Sequence, residues 1–216
     1  MRWQWKLGRI IAFVLARTLL GFRVVGQDNL LEGSAQIIAA NHRSNIDPAI
    51  VALASGQEIY FMAKQELFNI SKFFSWLISF WNAIPLPRDN RATEALKKCS
   101  ALLTDKRTIL IFPEGTRNKH EQLLPFKPGL GFLAVTNQVP VVPVAISGVC
   151  EVGNGRLTRI IDRDLRRHYK PLHSRGVTVR FGKPVYPDNT AGDRDDYEKI
   201  SQRIKSDIEE LLIQNN

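Results

Sequence analysis

Strand-length apolar runs alternate with helical stretches along most of this chain, and that alternation limits the fold more than any other feature. The runs lie at 36–40 (QIIAA), 59–63 (IYFMA), 83–86 (AIPL), 108–112 (TILIF), 139–146 (VPVVPVAI) and 177–181 (VTVRF). Residues 48–54, 66–80, 91–104 and 128–137 supply helical stretches between many of them. The last helix has the clearest period: Tyr197, Ile200, Ile204, Ile208, Leu211 and Leu212 recur at spacings of three and four, with charges opposite. Strands this apolar need cover on both faces. The predicted fold is therefore α/β, a mixed, largely buried sheet flanked by helices. Two prolines in 139–146 predict an edge or irregular strand there, because proline cannot donate to a ladder. A chain of 216 residues can bury such a core in one unit, and no repeat, low-complexity tract or linker divides residues 24–216.

Charge is the next constraint. The chain carries 30 Lys and Arg against 21 Asp and Glu, a formal net of +9. That excess favours an anionic partner: nucleic acid, a membrane surface or a phosphorylated substrate. It sits in two blocks. Residues 1–27 hold Arg2, Lys6, Arg9, Arg17 and Arg23 with no acid, and 156–175 hold seven cations against Asp162 and Asp164. The remainder is close to neutral. At roughly 100° per residue, Arg2, Lys6, Arg9 and Arg17 fall within an arc of about 80° on a helix. Trp3, Leu7, Ile11, Val14, Leu15 and Leu19 occupy most of the rest, while Phe13 falls inside the basic arc. This pattern predicts an amphipathic helix over 1–23 lying in a membrane interface. Docking of the same helix on its own domain is the alternative. A secretory signal fits poorly, since only seven uncharged residues separate Arg9 from Arg17 and no small-x-small site follows.

No stretch makes a convincing bilayer span of ~20 consecutive apolar residues. Residues 128–150 are uncharged, but Asn137, Gln138, Pro140 and Pro143 make them a helix followed by a buried strand. Residues 73–87 are also uncharged, and five aromatics in 73–81 point either to core burial or to membrane contact. A hydrophobic share of 44% excludes disorder, and two cysteines in so long a chain exclude a disulfide scaffold. Cys99 and Cys150, both in apolar surroundings, are expected to pack as thiols in a reducing compartment.

Three polar clusters follow strand-like runs, where α/β sheets place their sites. The first is Asn41-His42-Arg43-Ser44-Asn45-Ile46-Asp47-Pro48. Asp47-Pro48 reads as a helix N-cap followed by proline at the first helical position. The loop before it can bring the Asp47 carboxylate back to His42, fixing one imidazole N–H and leaving the other nitrogen as a base. Alone, the spacing also fits a plain cap beside a surface histidine. The second cluster is Phe112-Pro113-Glu114-Gly115-Thr116-Arg117, with Lys127 downstream in Leu124-Pro125-Phe126-Lys127-Pro128-Gly129. Glycine admits close backbone approach, threonine brings a hydroxyl, and arginine brings a planar fork matched to phosphate oxygens. A turn with a local Glu114–Arg117 ion pair is the alternative. The third is Arg88, after Ile84-Pro85-Leu86-Pro87; alone it would be a solvated charge. There is no Walker loop, dinucleotide glycine fingerprint, paired-cysteine spacing or serine elbow. His120, His168 and His173 lack carboxylates at ligand spacing, so no metal is expected.

In this order the clusters resemble the glycerophospholipid acyltransferase family, in particular its bacterial-type 1-acylglycerol-3-phosphate acyltransferases. Asn41 to Pro48 resembles the family's H-x4-D motif, and Lys64-x-Glu66-Leu67-Phe68 a frequent companion. Phe112 to Arg117 resembles its E-G-T-R block, with Pro125-Phe126-Lys127-x-Gly129 downstream. Val139 to Val144 resembles its final proline motif, and Phe181-Gly182-Lys183-Pro184 is a weaker echo of a terminal strand. Two departures stand out. Pro85-Leu86-Pro87 precedes Arg88 where a Phe- or Ile-containing strand is usual, and Asn118 stands where serine is common, a change expected to matter little.

The resemblance implies a glycerolipid acyltransferase-like fold and transfer of a fatty acyl group from a thioester to a lysophospholipid hydroxyl. The donor would be acyl-CoA or acyl-ACP (acyl carrier protein), with no resident cofactor. The acceptor would be 1-acyl-sn-glycerol 3-phosphate and the product phosphatidic acid. His42 would act as the general base and Asp47 would orient it. Gly115, Thr116 and Arg117 would hold the acceptor phosphate, with Arg88 and Lys127 assisting and Glu114 positioning Arg117 or the loop. The expected setting is the cytoplasmic face of the cell membrane, in contact with anionic phospholipid. Other acceptors remain open: glycerol 3-phosphate, another lysophospholipid or a lyso-aminolipid. A non-catalytic peripheral membrane protein is the rival from another class. Nucleic acid is not an expected partner, because the basic blocks lack a binding module and one is strongly apolar.

Overall fold

The computed structural model describes residues 21–86, 91–118, 120, 122–149, 176–188 and 192–214, with residues 8, 10, 12–14 and 16–18 near the N-terminus. Seven strands form one sheet: β1 (Arg23–Val25), β2 (Gln36–Ala40), β3 (Ile59–Lys64), β4 (Ala83–Leu86), β5 (Thr108–Ile111), β6 (Val141–Ser147) and β7 (Thr178–Phe181). Their order is β1-β7-β6-β2-β5-β3-β4. Every pair is parallel except β6 with β7, so the sheet is mixed, as predicted. The helices are α1 (Asp47–Ser55), α2 (Lys72–Phe80), α3 (Arg91–Thr104), α4 (Gly129–Asn137) and α5 (Arg194–Ile213).

The two-fold period of β2 divides the core. Ile38 and Ala40 join α1 and Phe22 on one face. Ile37 and Ala39 join Cys99 and Leu103 of α3, Leu130 and Leu133 of α4, and Ile204 and Ile208 of α5 on the other. All of β2 is therefore buried, which is why Ile37 to Ala40 are apolar on both faces. Its polar ends are satisfied. Gln36 exchanges hydrogen bonds with both backbone groups of Leu31. Asn41 does the same with Ile146, extending the hold of β2 on β6 to the residue before His42.

Several local expectations change in the fold. Of the two expectations for the proline-containing strand β6, the irregular one holds and the edge one does not, since it lies between β2 and β7. The missing donor is absorbed on the β7 side by a bulge. Between the Val144–Phe181 pair and the Val141–Val185 bridge, β6 contributes Val142 and Pro143 while its partner contributes Gly182, Lys183 and Pro184. The helical stretch at 66–80 is broken into a 3-10 turn (Gln65–Asn69) and α2. The stretch at 128–150 is a helix and then a buried strand, as its interruptions predict. Cys99 is a buried free thiol, and desolvation pushes its pKa up to about 11. Cys150 and the basic block at 156–175 lie outside the described residues.

The described part of the N-terminal segment is helical. Ala12, Phe13 and Ala16 pack on the core, and Phe13 meets Phe22 edge-on with ring centroids 5.8 Å apart. The docked stripe includes Phe13, the residue that broke the amphipathic pattern. Ile10 and Val14 are each 54% exposed, so the helix docks on its own domain and still presents apolar surface. Residues 73–81 also divide: Ile78 and Trp81 pack on the core while Trp76 is 60% exposed. Among the described residues, no helix is long and apolar enough to cross a membrane.

Candidate active site

Parallel pairing of β2 with β5 brings their carboxyl ends to the same edge of the sheet. The chain leaves β2 into 41–47 and leaves β5 into 112–118, so the two strongest motifs meet although some 70 residues separate them.

His42 and Asp47 are paired, with Nδ1 2.9 Å from Oδ2; the histidine side chain is 18% exposed and the aspartate 0%. The same oxygen accepts from the backbone N–H groups of Arg43 at 2.6 Å and Ser44 at 2.7 Å. Asp47 is thus not the N-cap that Asp-Pro spelled out. Helix α1 begins at Asp47 with Ile46 in the cap position, and the carboxylate turns back to the loop it has just left. With the ring donating from Nδ1 to that oxygen, Nε2 is left to accept a proton. Asp47 Oδ1 is buried with no hydrogen-bond partner among the described residues.

The backbone of His42 is gripped from the second motif. Its N–H donates to Glu114 Oε1 at 3.0 Å, and its carbonyl accepts from Asn118 N–H at 2.7 Å. Glu114 is buried, and its other oxygen accepts from Leu124 N–H at 3.0 Å. Its carboxylate therefore joins the loops at His42 and Leu124. The Asn118 side chain is also engaged, donating to Gln122 carbonyl and accepting from His120 N–H. The amide is buried and organises the turn. Arg43 donates to the carbonyl of His120, tying the two loops again. The imidazole stacks on Phe112, centroids 4.1 Å apart and rings 22° from parallel. A Phe closing the strand-like run at 108–112 was the only sequence signal for that contact.

Gly115 has φ +69°, a left-handed conformation that suits glycine, and a Cβ there would lie 2.5 Å from Lys127 Nζ. The lysine side chain crosses this glycine, while Lys127 N–H donates to Pro113 carbonyl at 3.0 Å. Gly115, Thr116 and Lys127 are exposed, and Arg117 is half-buried beside them in the chain. The structure thus gathers His42, Asp47, Glu114, Gly115 and Lys127, with Thr116 and Arg117 in the same turn. Arg88 lies outside the described residues, beyond the end of β4.

A mixed α/β sheet carrying a half-buried histidine paired with a buried aspartate beside a glycine-arginine turn defines the class, and comparison with known proteins agrees. A family model described as Acyltransferase matches residues 21–147, and the chain belongs to that family. A chloroplastic 1-acyl-sn-glycerol-3-phosphate acyltransferase of Brassica napus is 33% identical over 76% of this chain and 44% of its own length. The protein of that activity name from Saccharomyces cerevisiae is 27% identical over 96% of this chain and 67% of its own, and that from Streptococcus pneumoniae 28% identical over 81% and 60%. The chain thus spans between 44% and 67% of these relatives' lengths. The solved 1-acyl-sn-glycerophosphate (LPA) acyltransferase PlsC of Thermotoga maritima superposes with a TM-score of 0.69 at 27% identity, covering 97% of this chain and 78% of that one.

Proposed function

We propose that this chain transfers a fatty acyl group from an acyl thioester to the free hydroxyl of 1-acyl-sn-glycerol 3-phosphate, giving phosphatidic acid. The observation that carries the reading is the His42–Asp47 pair, with Nδ1 held by a buried carboxylate and Nε2 left to take a proton. An alcohol is a weak nucleophile at neutral pH. As its oxygen bonds to the thioester carbonyl carbon, its proton passes to His42 Nε2. The tetrahedral adduct then collapses, the C–S bond breaks, and the imidazolium returns the proton to the departing thiolate. Asp47 keeps the ring in the right tautomer and offsets its positive charge, the logic of a catalytic dyad. Arg117, with Gly115 and Thr116, would hold the acceptor phosphate. Lys127, which lies across Gly115, would add a second cation and Arg88 a third. Glu114 would act on His42 through the backbone rather than on phosphate.

The names of the relatives support the acceptor, and either acyl-CoA or acyl-ACP fits the chemistry as donor. The working surface would be the membrane, where the lysophospholipid acceptor resides. Exposed Ile10, Val14, Ile70 and Trp76 support that placement, and a Cβ on Gly8 would come within 3.6 Å of Phe80, next to Trp76 in α2. The test is purified protein given each donor against a panel of acceptors. Turnover is expected with 1-acylglycerol 3-phosphate, and preference for another acceptor would reassign the substrate. His42→Ala should lose about 10²–10⁴-fold in turnover while vesicle binding survives. Turnover like the wild type in that variant would remove the base assignment.

A further inference from the structure

The restraints on His42 described so far act on its backbone or on one ring edge. Asp47 holds Nδ1, Glu114 accepts the backbone N–H, and Asn118 donates to the carbonyl. Of these, only the Asp47 hydrogen bond opposes rocking of the ring about its Cβ–Cγ bond, a torsion that is intrinsically broad in histidine, and it acts from one edge. A contact on the ring face restrains the ring further. Phe112 supplies it, stacked at 4.1 Å and 22° from parallel. The Phe112 ring is itself anchored by packing against the core, and its carbonyl accepts from Gly115 N–H at 3.0 Å.

The contact also has an electrostatic consequence. When Nε2 takes the hydroxyl proton, the imidazole becomes a cation lying over an aromatic face, and the ring quadrupole attracts a cation more than a neutral ring. An interaction that strengthens as the proton transfers lowers the barrier, whereas one equally strong before and after does not. We propose that Phe112 is a positioning residue of the acyl transfer, holding the His42 ring face-on and stabilising the imidazolium formed when the acceptor hydroxyl is deprotonated. The proposal rests on the reading of His42 as the base.

The test compares F112L, which keeps apolar bulk without a π face, with F112Y, which keeps the face; F112M replaces F112L if that variant does not fold. Turnover of F112L should fall about tenfold, with acceptor and donor KM within about twofold of wild type. F112Y should retain at least about half of the wild-type kcat, since the π face is kept. In protein with labelled histidine, the His42 ring protons, assigned by their absence in H42A, should be shielded by the Phe112 ring current. F112L should abolish that shielding and F112Y preserve it. Wild-type turnover in F112L, or equal losses in F112Y and F112L with both folded, would overturn the proposal. The resonance does not depend on turnover. A shielding unchanged in F112L therefore removes the stack alone, whereas full activity in H42A removes the base and the catalytic part with it.

Discussion

Glu114 shows how far a residue's partners can lie from its sequence neighbours. Local spacing offered Arg117, three positions on, as the partner for its charge. The folded chain instead gives its two oxygens to the N–H groups of His42 and Leu124. A carboxylate accepting from buried backbone donors is worth more than an exposed ion pair, because its removal leaves both donors unsatisfied. Glu114→Ala should destabilise the protein by about 3 kcal/mol and lower kcat by displacing His42. Urea unfolding together with steady-state kinetics checks both, and acceptor KM should stay within about threefold because the carboxylate is not directed at phosphate. A rise in acceptor KM at unchanged kcat would instead tie Glu114 to acceptor binding. The pairing of His42 with Asp47 was legible because both ends lie within one loop. The grip of Glu114 and Asn118 on the His42 backbone was not, because it joins loops 72 residues apart.

Between helices α4 and α5, close approach depends on a glycine. Helix α4 crosses α5 at Gly131, where a Cβ would lie 2.0 Å from the Tyr197 carbonyl oxygen. Beside it, the Ser201 hydroxyl accepts from Gly131 N–H and donates to Lys127 carbonyl, so the C-terminal helix reaches the first turn of α4. Because the obstacle is backbone, it cannot yield by changing rotamer. Gly131→Ala should therefore destabilise by about 3 kcal/mol, the upper end for overpacking, read as a lowered urea midpoint. The amphipathic period of α5 was plain in sequence because every turn repeats it. The position of β6 was not. Its prolines pointed to an edge or an irregular strand, and only strand order shows which: pairing on the β2 side and a bulge on the β7 side accommodate them inside the sheet.

For the molecule as a whole, the face that carries α1 and Phe22 also receives the N-terminal helix, and the exposed apolar residues Ile10, Val14 and Trp76 belong to elements packed there. Hydrophobic contact and positive charge should act together at a lipid surface, one insensitive to salt and the other screened by it. Co-sedimentation with anionic vesicles should weaken as ionic strength rises. Replacing both Val14 and Trp76 by serine should reduce partition about tenfold at any salt concentration, since even partial burial of two such side chains exceeds 1.4 kcal/mol. Equal partition of that variant and the wild type would place the lipid contact elsewhere on the protein.

Sequence by itself determined the features that repeat or stay local: the alternation that makes an α/β sheet, the burial of β2 on both faces, and the H-x4-D loop that closes on itself. Period and short spacing express such features directly, since each residue's neighbours in space are its neighbours in the chain. Tertiary structure alone decided the rest. It set β5 beside β2 so that Phe112 covers the His42 ring and Glu114 meets its N–H. It also turned Ala12, Phe13 and Ala16 inward while leaving Ile10 and Val14 exposed. Those outcomes depend on strand order and helix docking, which no local pattern of residues encodes.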